Sequence, residues 1–233
     1  MTIFRYQPAI LEKYPTIVGG IIRAEGMTNR PTPPELAEEY RAEQQAVIAR
    51  IGDTPLSQLP SLAAWRSIFR SFGVDPTQIR SAAEALLRRL TKQGDIPSIN
   101  LLVDLGNLVS IRYGIPVAVV DTQQMNGGIT VKFAAGTEPF TNLGASEVDH
   151  PDVGEVIFTD DSDTVYARRW CWRQSAESAA RESTTHATIT AEAHHNGAQT
   201  DIQNAVRDLQ ALLEKYAGGS FSHAILDKDH PSV

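Results

Sequence analysis

The segment YARRWCWRQ, residues 166–174, concentrates side chains that could bind a ligand, because it holds two tryptophans, three arginines and the only cysteine of the chain. An arginine beside an indole ring can stack on a base, bind a carboxylate or a phosphate, or pack by a cation–π contact. As a β-strand, the segment would alternate its side chains between two faces. One face would carry Arg168, Trp170 and Trp172, and the other Arg169, Cys171 and Arg173. The segment therefore predicts either a binding surface or a structural cluster of tryptophan and arginine.

Three polar side chains line up in the apolar segment SINLLVDLGNLVSIRYG, residues 98–114. At about 100° per residue in a helix, Asn100, Asp104 and Asn107 share one narrow stripe, while leucines and valines cover the rest of the circumference. Such a helix has no face for solvent. An unpaired buried polar group costs on the order of 1 to 3 kcal/mol, so the stripe predicts either internal hydrogen bonds or a wet cavity.

Other kinds of catalytic site find little support. The segment EAHH supplies Glu192, His194 and His195, but their spacing matches no zinc or iron motif, and a surface loop is favoured for the two histidines. The chain has no Gly-x-Ser-x-Gly elbow, phosphate-binding loop or dinucleotide fingerprint, and Cys171 has no histidine near it in the sequence. No metal and no cofactor are therefore expected, and a metal-dependent hydrolase is the least favoured hypothesis.

Basic residues are concentrated in one part of an acidic chain with a net charge of −7. Only Asp75 and Glu84 oppose them there. The run consists of Arg66, Arg70, Arg80, Arg88, Arg89 and Lys92. It predicts either a solvated helix face or a surface for a ribose-phosphate backbone.

The order of the predicted elements indicates an α+β fold. A strand at 17–26, with a bulge or bend at its two glycines, is followed by a helical part over 30–113. In that part, Thr32 and Ser81 are expected to cap helices. A strand-rich part then covers 117–195, a mixed or antiparallel sheet is expected to pack against the helices, and a last helix covers 200–217. We expect a single domain over 1–222 and a flexible tail over 223–233.

Composition places the chain among soluble globular proteins, with 42% apolar and 21% charged residues in 233. Neither a membrane-spanning run nor a basic-then-apolar leader is evident, and the single cysteine is typical of a reducing compartment. These features favour a cytoplasmic location and give no indication of oligomeric state.

Residues 96–121, IPSINLLVDLGNLVSIRYGIPVAVVD, resemble the B3/B4 domain, the editing module of the bacterial phenylalanyl-tRNA synthetase beta subunit, and its stand-alone relatives. The similarity extends over about 60–195, and the segment at 168–174 resembles the stand-alone group. The matching positions are Asn100, Val103, Asp104, Asn107, Pro116 and Asp121. In the synthetase, this domain hydrolyses tyrosine wrongly esterified to the phenylalanine tRNA.

The resemblance implies a ligand pocket where the Asp104–Asn107 helix meets the sheet, with Asn107 and Pro116 matching its asparagine and proline. Two positions depart, because Gly106 and Ala118 replace a pocket threonine and a histidine. The glycine-rich turn and the glutamate that reads the tyrosine hydroxyl fall across 168–174, where no glycine pair exists. A side chain other than tyrosine, or a different ligand, is therefore expected.

These observations lead to one leading hypothesis, a stand-alone hydrolase that removes a wrong amino acid from tRNA in trans. Asn107 would position the water, and Asn100, Asp104 and Asp121 would serve structure, with Asp104 hydrogen-bonded to backbone. The amino-acid pocket would consist of Asn107, Pro116, Arg168, Trp170, Trp172, Arg173 and Gln174. The basic run would hold the tRNA. The alternative is a non-catalytic module that binds a free amino acid, a small carboxylate or tRNA.

Overall fold

The computed structural model describes residues 3–233. A short 3₁₀ turn at Leu56–Gln58 precedes the third helix. The helices are α1 Pro8–Lys13, α2 Pro34–Ile51, α3 Pro60–Ser71, α4 Ala82–Gln93, α5 Leu101–Tyr113 and α6 Ala198–Tyr216. The strands are β1 Phe4–Tyr6, β2 Val18–Glu25, β3 Val117–Asp121, β4 Ile129–Phe133, β5 Phe140–Thr141, β6 Val148–Asp149, β7 Val156–Thr159, β8 Val165–Arg168, β9 Arg173–Gln174, β10 His186–Ala193 and β11 Ser220–Leu226. This architecture confirms the predicted α+β class.

Two main sheets form the molecule, where the sequence predicted one. An antiparallel four-stranded sheet has the order β11-β2-β10-β3, and a mixed five-stranded sheet has the order β1-β4-β7-β8-β9, with β1 parallel to β4. The strands β5 and β6 form a separate ribbon. Within residues 3–233, no helix combines the length and apolarity needed to cross a bilayer.

The four-stranded sheet is covered on both faces. Residues such as Ile22 and Ala191 pack with helices α2, α4, α5 and α6 in one core. Residues on the opposite face of the sheet, including Ile21 of β2 and Val120 of β3, belong to a second core with the five-stranded sheet and α3. Since successive strand residues alternate between faces, Glu192 of β10 lies on the side of the second core, opposite Ala191.

Two of the predicted helix caps can be compared with the structure. Ser81 caps α4, because its hydroxyl accepts a hydrogen bond from the Glu84 backbone N–H at 3.3 Å. The cap predicted at Thr32 is wrong, since α2 begins after Pro33 without a side-chain cap. The Thr32 hydroxyl donates instead to Asp104 Oδ2 at 2.6 Å. A buried carboxylate outside the helix therefore takes the hydroxyl that the local pattern assigned to the helix end.

The glycines of β2 serve close packing, while the strand pairs in continuous register on both sides. The predicted bulge is thus absent from β2. A methyl group at Gly19 would collide with the Tyr6 hydroxyl, and one at Gly20 would collide with Val206 of α6. The two residues let a β1 side chain and a helix approach opposite faces of the sheet.

The predicted flexible tail over 223–233 is also wrong. Residues 220–226 form β11, which pairs antiparallel with β2 along its length. Beyond it, Tyr6 N–H donates to Pro231 O at 3.0 Å, and Val233 N–H donates to Phe4 O at 3.0 Å. The sequence offers weak periodicity there, and only pairing with distant strands orders it.

Candidate functional site

A small cavity lies between the two main sheets, with a volume of about 160 Å³. Five of the seven predicted pocket residues line it, namely Pro116, Trp170, Trp172, Arg173 and Gln174. The remaining walls include Ala82, Ala118, Phe158, Cys171, Thr190 and Glu192. A larger groove of about 520 Å³ near Arg23 and His186 contains no buried ionisable side chain. The small cavity is therefore the stronger candidate site.

Glu192 is the buried ionisable group of this cavity, with 2% of its surface exposed. Its Oε1 accepts hydrogen bonds from the Tyr6 hydroxyl at 2.7 Å and from Trp170 Nε1 at 3.0 Å. Its Oε2 has no hydrogen-bond partner within residues 3–233. One oxygen is thus held by two donors, and the other is available to a ligand.

Burial raises the pKa of Glu192 to about 7, although the hydrogen bonds from Tyr6 and Trp170 act in the opposite direction. Both protonation states are consequently populated near neutral pH. The carboxyl can accept a proton from water or a hydrogen bond from a hydroxyl or an ammonium group, and in its acid form it can donate one.

The turn after β8 delivers Trp170 to Glu192. Two consecutive residues, Arg169 and Trp170, have positive φ angles of 46° and 63°. This conformation is strained for side chains of their size. The Arg169 N–H donates to Glu155 Oε1 at 2.8 Å, and the Trp170 N–H donates to Val156 O at 2.7 Å. These hydrogen bonds to Glu155 and to Val156, the first residue of β7, stabilise the strained turn.

The strained turn corrects the predicted strand over 166–174. β8 ends at Arg168 and β9 begins at Arg173, so the expected alternation of faces stops at the turn. Trp170 is fully buried, while Trp172 is partly exposed. The two tryptophans that the alternation placed together therefore have different environments, although both contact the cavity.

Arg168 does not line the cavity, which corrects its predicted pocket role. Its side chain is 6% exposed and makes two hydrogen bonds to Glu155, at 3.0 and 2.9 Å, and one to Asp149 at 2.6 Å. Bidentate geometry of this kind is typical of a structural ion pair. Arg168 fixes Glu155, the carboxylate that also holds the strained turn.

Gln174 and Cys171, two further polar residues of the cavity wall, have different roles. Gln174 donates from Nε2 to Val119 O at 3.0 Å and so ties β9 to β3. Burial and the nearby Glu192 raise the pKa of the Cys171 thiol well above its usual value. The thiolate is the nucleophilic form of cysteine, and a raised pKa keeps the thiol protonated. Cys171 is therefore a small neutral residue in the cavity wall.

Asn107 does not line this cavity, so its predicted water-positioning role is wrong for this site. Its neighbour Gly106 faces Val119 of β3, and a methyl group added at Gly106 would lie 3.3 Å from that side chain. Asn107 itself lies beside the Tyr40 hydroxyl of α2. That hydroxyl is buried without a well-formed hydrogen bond to any residue in 3–233.

The three polar residues predicted to serve structure form hydrogen bonds inside the protein. Asp104 is fully buried and accepts from the Ile99 N–H at 3.0 Å and from the Ser98 hydroxyl. Asn100 caps α5 by accepting from Val103 N–H at 3.1 Å. Asp121 accepts from the Gln123 N–H at 2.9 Å and from the Thr184 hydroxyl. The polar stripe therefore holds the chain around α5 rather than a ligand in the cavity.

His194 is buried and the His195 side chain is only 7% exposed, which corrects the predicted surface position of the two histidines. His194 packs edge-on against Trp65 and Trp170, with ring centroids at 4.7 and 5.1 Å, and burial lowers its pKa to about 3. His195 contacts Asp201 at 2.8 Å. Within residues 3–233, no group of three potential ligands is placed to hold a metal ion.

The basic run divides into paired and unpaired residues. Arg66 contacts Glu84 at 2.6 Å and is largely buried, Arg80 lies 3.9 Å from the same carboxylate, and Arg89 lies 3.8 Å from Asp95. The remaining three side chains are exposed and form no ion pair with a residue in 3–233. They are Arg70, Arg88 and Lys92.

Sequence reasoning missed the role of Glu192, which it weighed only as a metal ligand, and gave no role to Tyr6. A usable signal existed, because Glu192 interrupts the β-branched run TITAEA where a strand covered on both faces is expected to be apolar. The resemblance placed a pocket glutamate at 168–174, whereas the buried glutamate of the cavity comes from β10. Tyr6 gave no such signal, since its contact with Glu192 spans 186 residues.

A family model described as the B3/4 domain matches residues 64–218. The chain belongs to this family. The phenylalanine–tRNA ligase beta subunit of Shewanella oneidensis is 27% identical over 141 residues, which cover 60% of this chain and 17% of the relative. The corresponding subunit of Nitrosococcus oceani is 29% identical over 133 residues, covering 56% and 16%. This B3/4 chain thus spans about a sixth of the length of these curated relatives.

A solved structure, an N-terminal fragment of the phenylalanyl-tRNA synthetase beta subunit from Pyrococcus horikoshii, is also similar to this B3/4 chain. It has 11% sequence identity and a TM-score of 0.48, and the alignment covers 94% of this chain and 50% of the fragment.

Proposed function

We propose that the protein is a trans-editing hydrolase that deacylates a mischarged aminoacyl-tRNA. The observation that carries the proposal is the free Oε2 of Glu192 in a cavity of a B3/4 domain. Membership of this family, shared with regions of phenylalanine–tRNA ligase beta subunits, supports a tRNA-related role.

Glu192 would act as the general base. A carboxyl with a pKa of about 7 is well matched to this task at neutral pH. Its Oε2 would take a proton from a water molecule, whose oxygen attacks the ester carbonyl. The bond from the carbonyl carbon to the ribose oxygen then breaks, and the ribose oxygen receives the proton from Glu192. The products are a free amino acid and a tRNA with an intact terminal hydroxyl.

The cavity restricts the amino acid that can enter. Its volume of about 160 Å³ is well below the 300–1,000 Å³ typical of pockets for larger ligands. Trp170 and Phe158 supply apolar walls, and Thr190 and Glu192 supply polar contacts. A small side chain is therefore the expected substrate group.

The test is a deacylation assay with all twenty aminoacyl-tRNAs, comparing the wild-type protein with Glu192→Gln and with Glu214→Gln, an exposed carboxyl of α6. We expect hydrolysis of at least one ester, a loss of about 100-fold or more in Glu192→Gln, and no change in Glu214→Gln. Absence of hydrolysis above buffer with every ester would overturn the proposal.

A second function is favoured by the pairing of Glu192 with Arg173 in one cavity, since a carboxylate and a guanidinium complement the ammonium and carboxylate of a free amino acid. The protein would then be a binding module. Calorimetry with free amino acids separates the two proposals, because micromolar binding without any ester hydrolysis supports the module.

A further inference from the structure

Two guanidinium groups lie over the ring of Trp172 at the edge of the cavity. The Arg169 guanidinium carbon lies 4.6 Å from the centre of the Trp172 ring, and that of Arg173 lies 4.3 Å away. Arg173 also donates from Nη1 to Asn142 Oδ1 at 3.1 Å. The Arg173 side chain is thus held in place while it remains exposed.

Arg173 differs from Arg168 and Arg169 because no carboxylate in the described part of the chain neutralises its charge. Arg168 pairs with Glu155 and Asp149, and Arg169 lies 3.5 Å from Asp152 and 3.8 Å from Glu155. Arg173 has no carboxylate within ion-pair distance among residues 3–233. A guanidinium that is ordered by stacking but not neutralised is prepared to bind an oxyanion.

The amino end of α4 contributes a wall but no free donor that the cavity could use. Ala82, its first residue, lines the cavity, and the Ala82 N–H donates to Cys171 O at 2.8 Å. The Glu84 N–H donates to the Ser81 hydroxyl. Arg173 is therefore the group at the cavity mouth that favours an anion, whereas Glu192 and the apolar walls do not.

We propose that Arg173, stacked on Trp172, forms an oxyanion subsite at the cavity mouth, and that this subsite binds a phosphodiester of a nucleic acid. The inference rests on the proposed function, in which the esterified end of a tRNA enters the cavity. It assigns Arg173 to the nucleotide part of the substrate and leaves the amino acid to the interior walls. The partly exposed ring of Trp172 offers a stacking surface for the adjacent base.

Binding of two small probes tests the subsite without any catalysis. The dinucleotide cytidylyl-(3′→5′)-adenosine carries one phosphodiester, and adenosine carries none. We expect wild-type protein to bind the dinucleotide about tenfold more tightly than adenosine, since a hydrogen bond to a charged group has about this effect or more. Arg173→Gln abolishes this difference, and Arg207→Gln, on the 71%-exposed side chain of α6, retains it. Equal affinity of wild-type protein for both probes would overturn the subsite.

A third probe set distinguishes a phosphate from a carboxylate. If Arg173→Gln weakens binding of free amino acids while leaving dinucleotide binding intact, Arg173 holds a carboxylate and the phosphodiester assignment is wrong. In the assay of ester hydrolysis, we expect Arg173→Gln to slow deacylation of aminoacyl-tRNA about tenfold and Arg207→Gln to leave it unchanged. Dinucleotide binding with no hydrolysis of any ester would retain the subsite and reject the proposed function.

Discussion

The Trp170 indole N–H and the Glu192 carboxylate form a buried hydrogen bond of 3.0 Å that joins the strained turn after β8 to the carboxyl end of β10. Trp170→Phe keeps an aromatic ring and removes this donor. We expect the pKa of Glu192 to rise above about 7, because the bond stabilises the ionised form. A titration followed by carboxyl carbon NMR measures the shift. Trp172→Phe is the matched control, and an unchanged pKa in Trp170→Phe would refute the coupling.

Two buried groups give opposing dependences of stability on pH. Burial lowers the pKa of His194 to about 3, so the unfolded chain binds more protons than the folded one between about pH 3 and 6.5, and stability rises with pH in that window. Burial raises the pKa of Glu192 to about 7, so its contribution to stability decreases as the pH rises from about 4.5 to 7.

Glu192→Gln removes one of these contributions. We expect the free energy of unfolding to increase with pH more steeply between pH 4.5 and 6.5 than in the wild type, by up to about 1.4 kcal/mol per pH unit. Urea unfolding at several pH values measures this slope. Parallel curves for the two proteins would show that Glu192 is not buried in its acidic form.

Arg168 has a structural role that a substitution can separate from binding. Arg168→Met would leave Glu155, which is 2% exposed, without its main cationic partner. We expect a loss of about 3 kcal/mol in the free energy of unfolding. Arg207→Met removes an exposed arginine and should change stability by less than about 0.5 kcal/mol. Chemical denaturation compares the two, and similar small effects would restore a ligand-binding interpretation for Arg168.

Gly19 leaves room for the Tyr6 hydroxyl that holds Glu192. Gly19→Ala should displace this hydroxyl, so that both stability and ester hydrolysis decrease. In a Tyr6→Phe background the new methyl meets no hydroxyl, and only ring carbons at 3.2 and 3.3 Å remain near it. The cost of Gly19→Ala should therefore be smaller there. A double-mutant cycle measured by thermal unfolding gives this coupling, and additivity of the two effects contradicts the prediction.

The unpaired basic residues of α3 and α4 provide a test of the proposed tRNA contact. Arg70→Gln, Arg88→Gln and Lys92→Gln together should weaken tRNA binding and reduce the slope of log affinity against log salt by about two to three. The matched control neutralises Arg5, Arg23 and Arg207, which lie elsewhere. Filter binding at several salt concentrations gives both slopes. An equal effect of the two triple variants would place the contact elsewhere.

Local signals were sufficient for most helices and for the internal polar contacts. Ser81 lies at the position from which a side chain can reach a free N–H of the first turn, and its predicted cap exists. Asn100 was placed on the helical stripe, whereas it precedes α5 and caps it. Helical periodicity also identified the stripe that contains Asp104. It did not reveal which element would cover the stripe, and for Asn107 that element is α2 with Tyr40 rather than the cavity.

The site required information from distant parts of the chain. The strand period failed after Arg168 because Glu155 and Val156 bind the next two N–H groups and turn the chain. Thr32 failed as a cap because Asp104, 72 residues away, takes its hydroxyl. Such competition between a local pattern and a buried acceptor is decided by tertiary structure, which a single sequence does not display.

The pairing of β1 with both β4 and the last three residues has a practical consequence for any attempt to shorten the protein. The segment matched by the family model starts at residue 64, so a fragment cut to that segment would omit Tyr6 and the strand β2 that lies beside β10. Glu192 would then keep only the donor on Trp170 and would lie on an uncovered sheet edge. The unit that holds Glu192 in its observed environment is therefore larger than the segment matched by the family model, and it includes residues 3–25 and the segment 231–233 that pairs with β1.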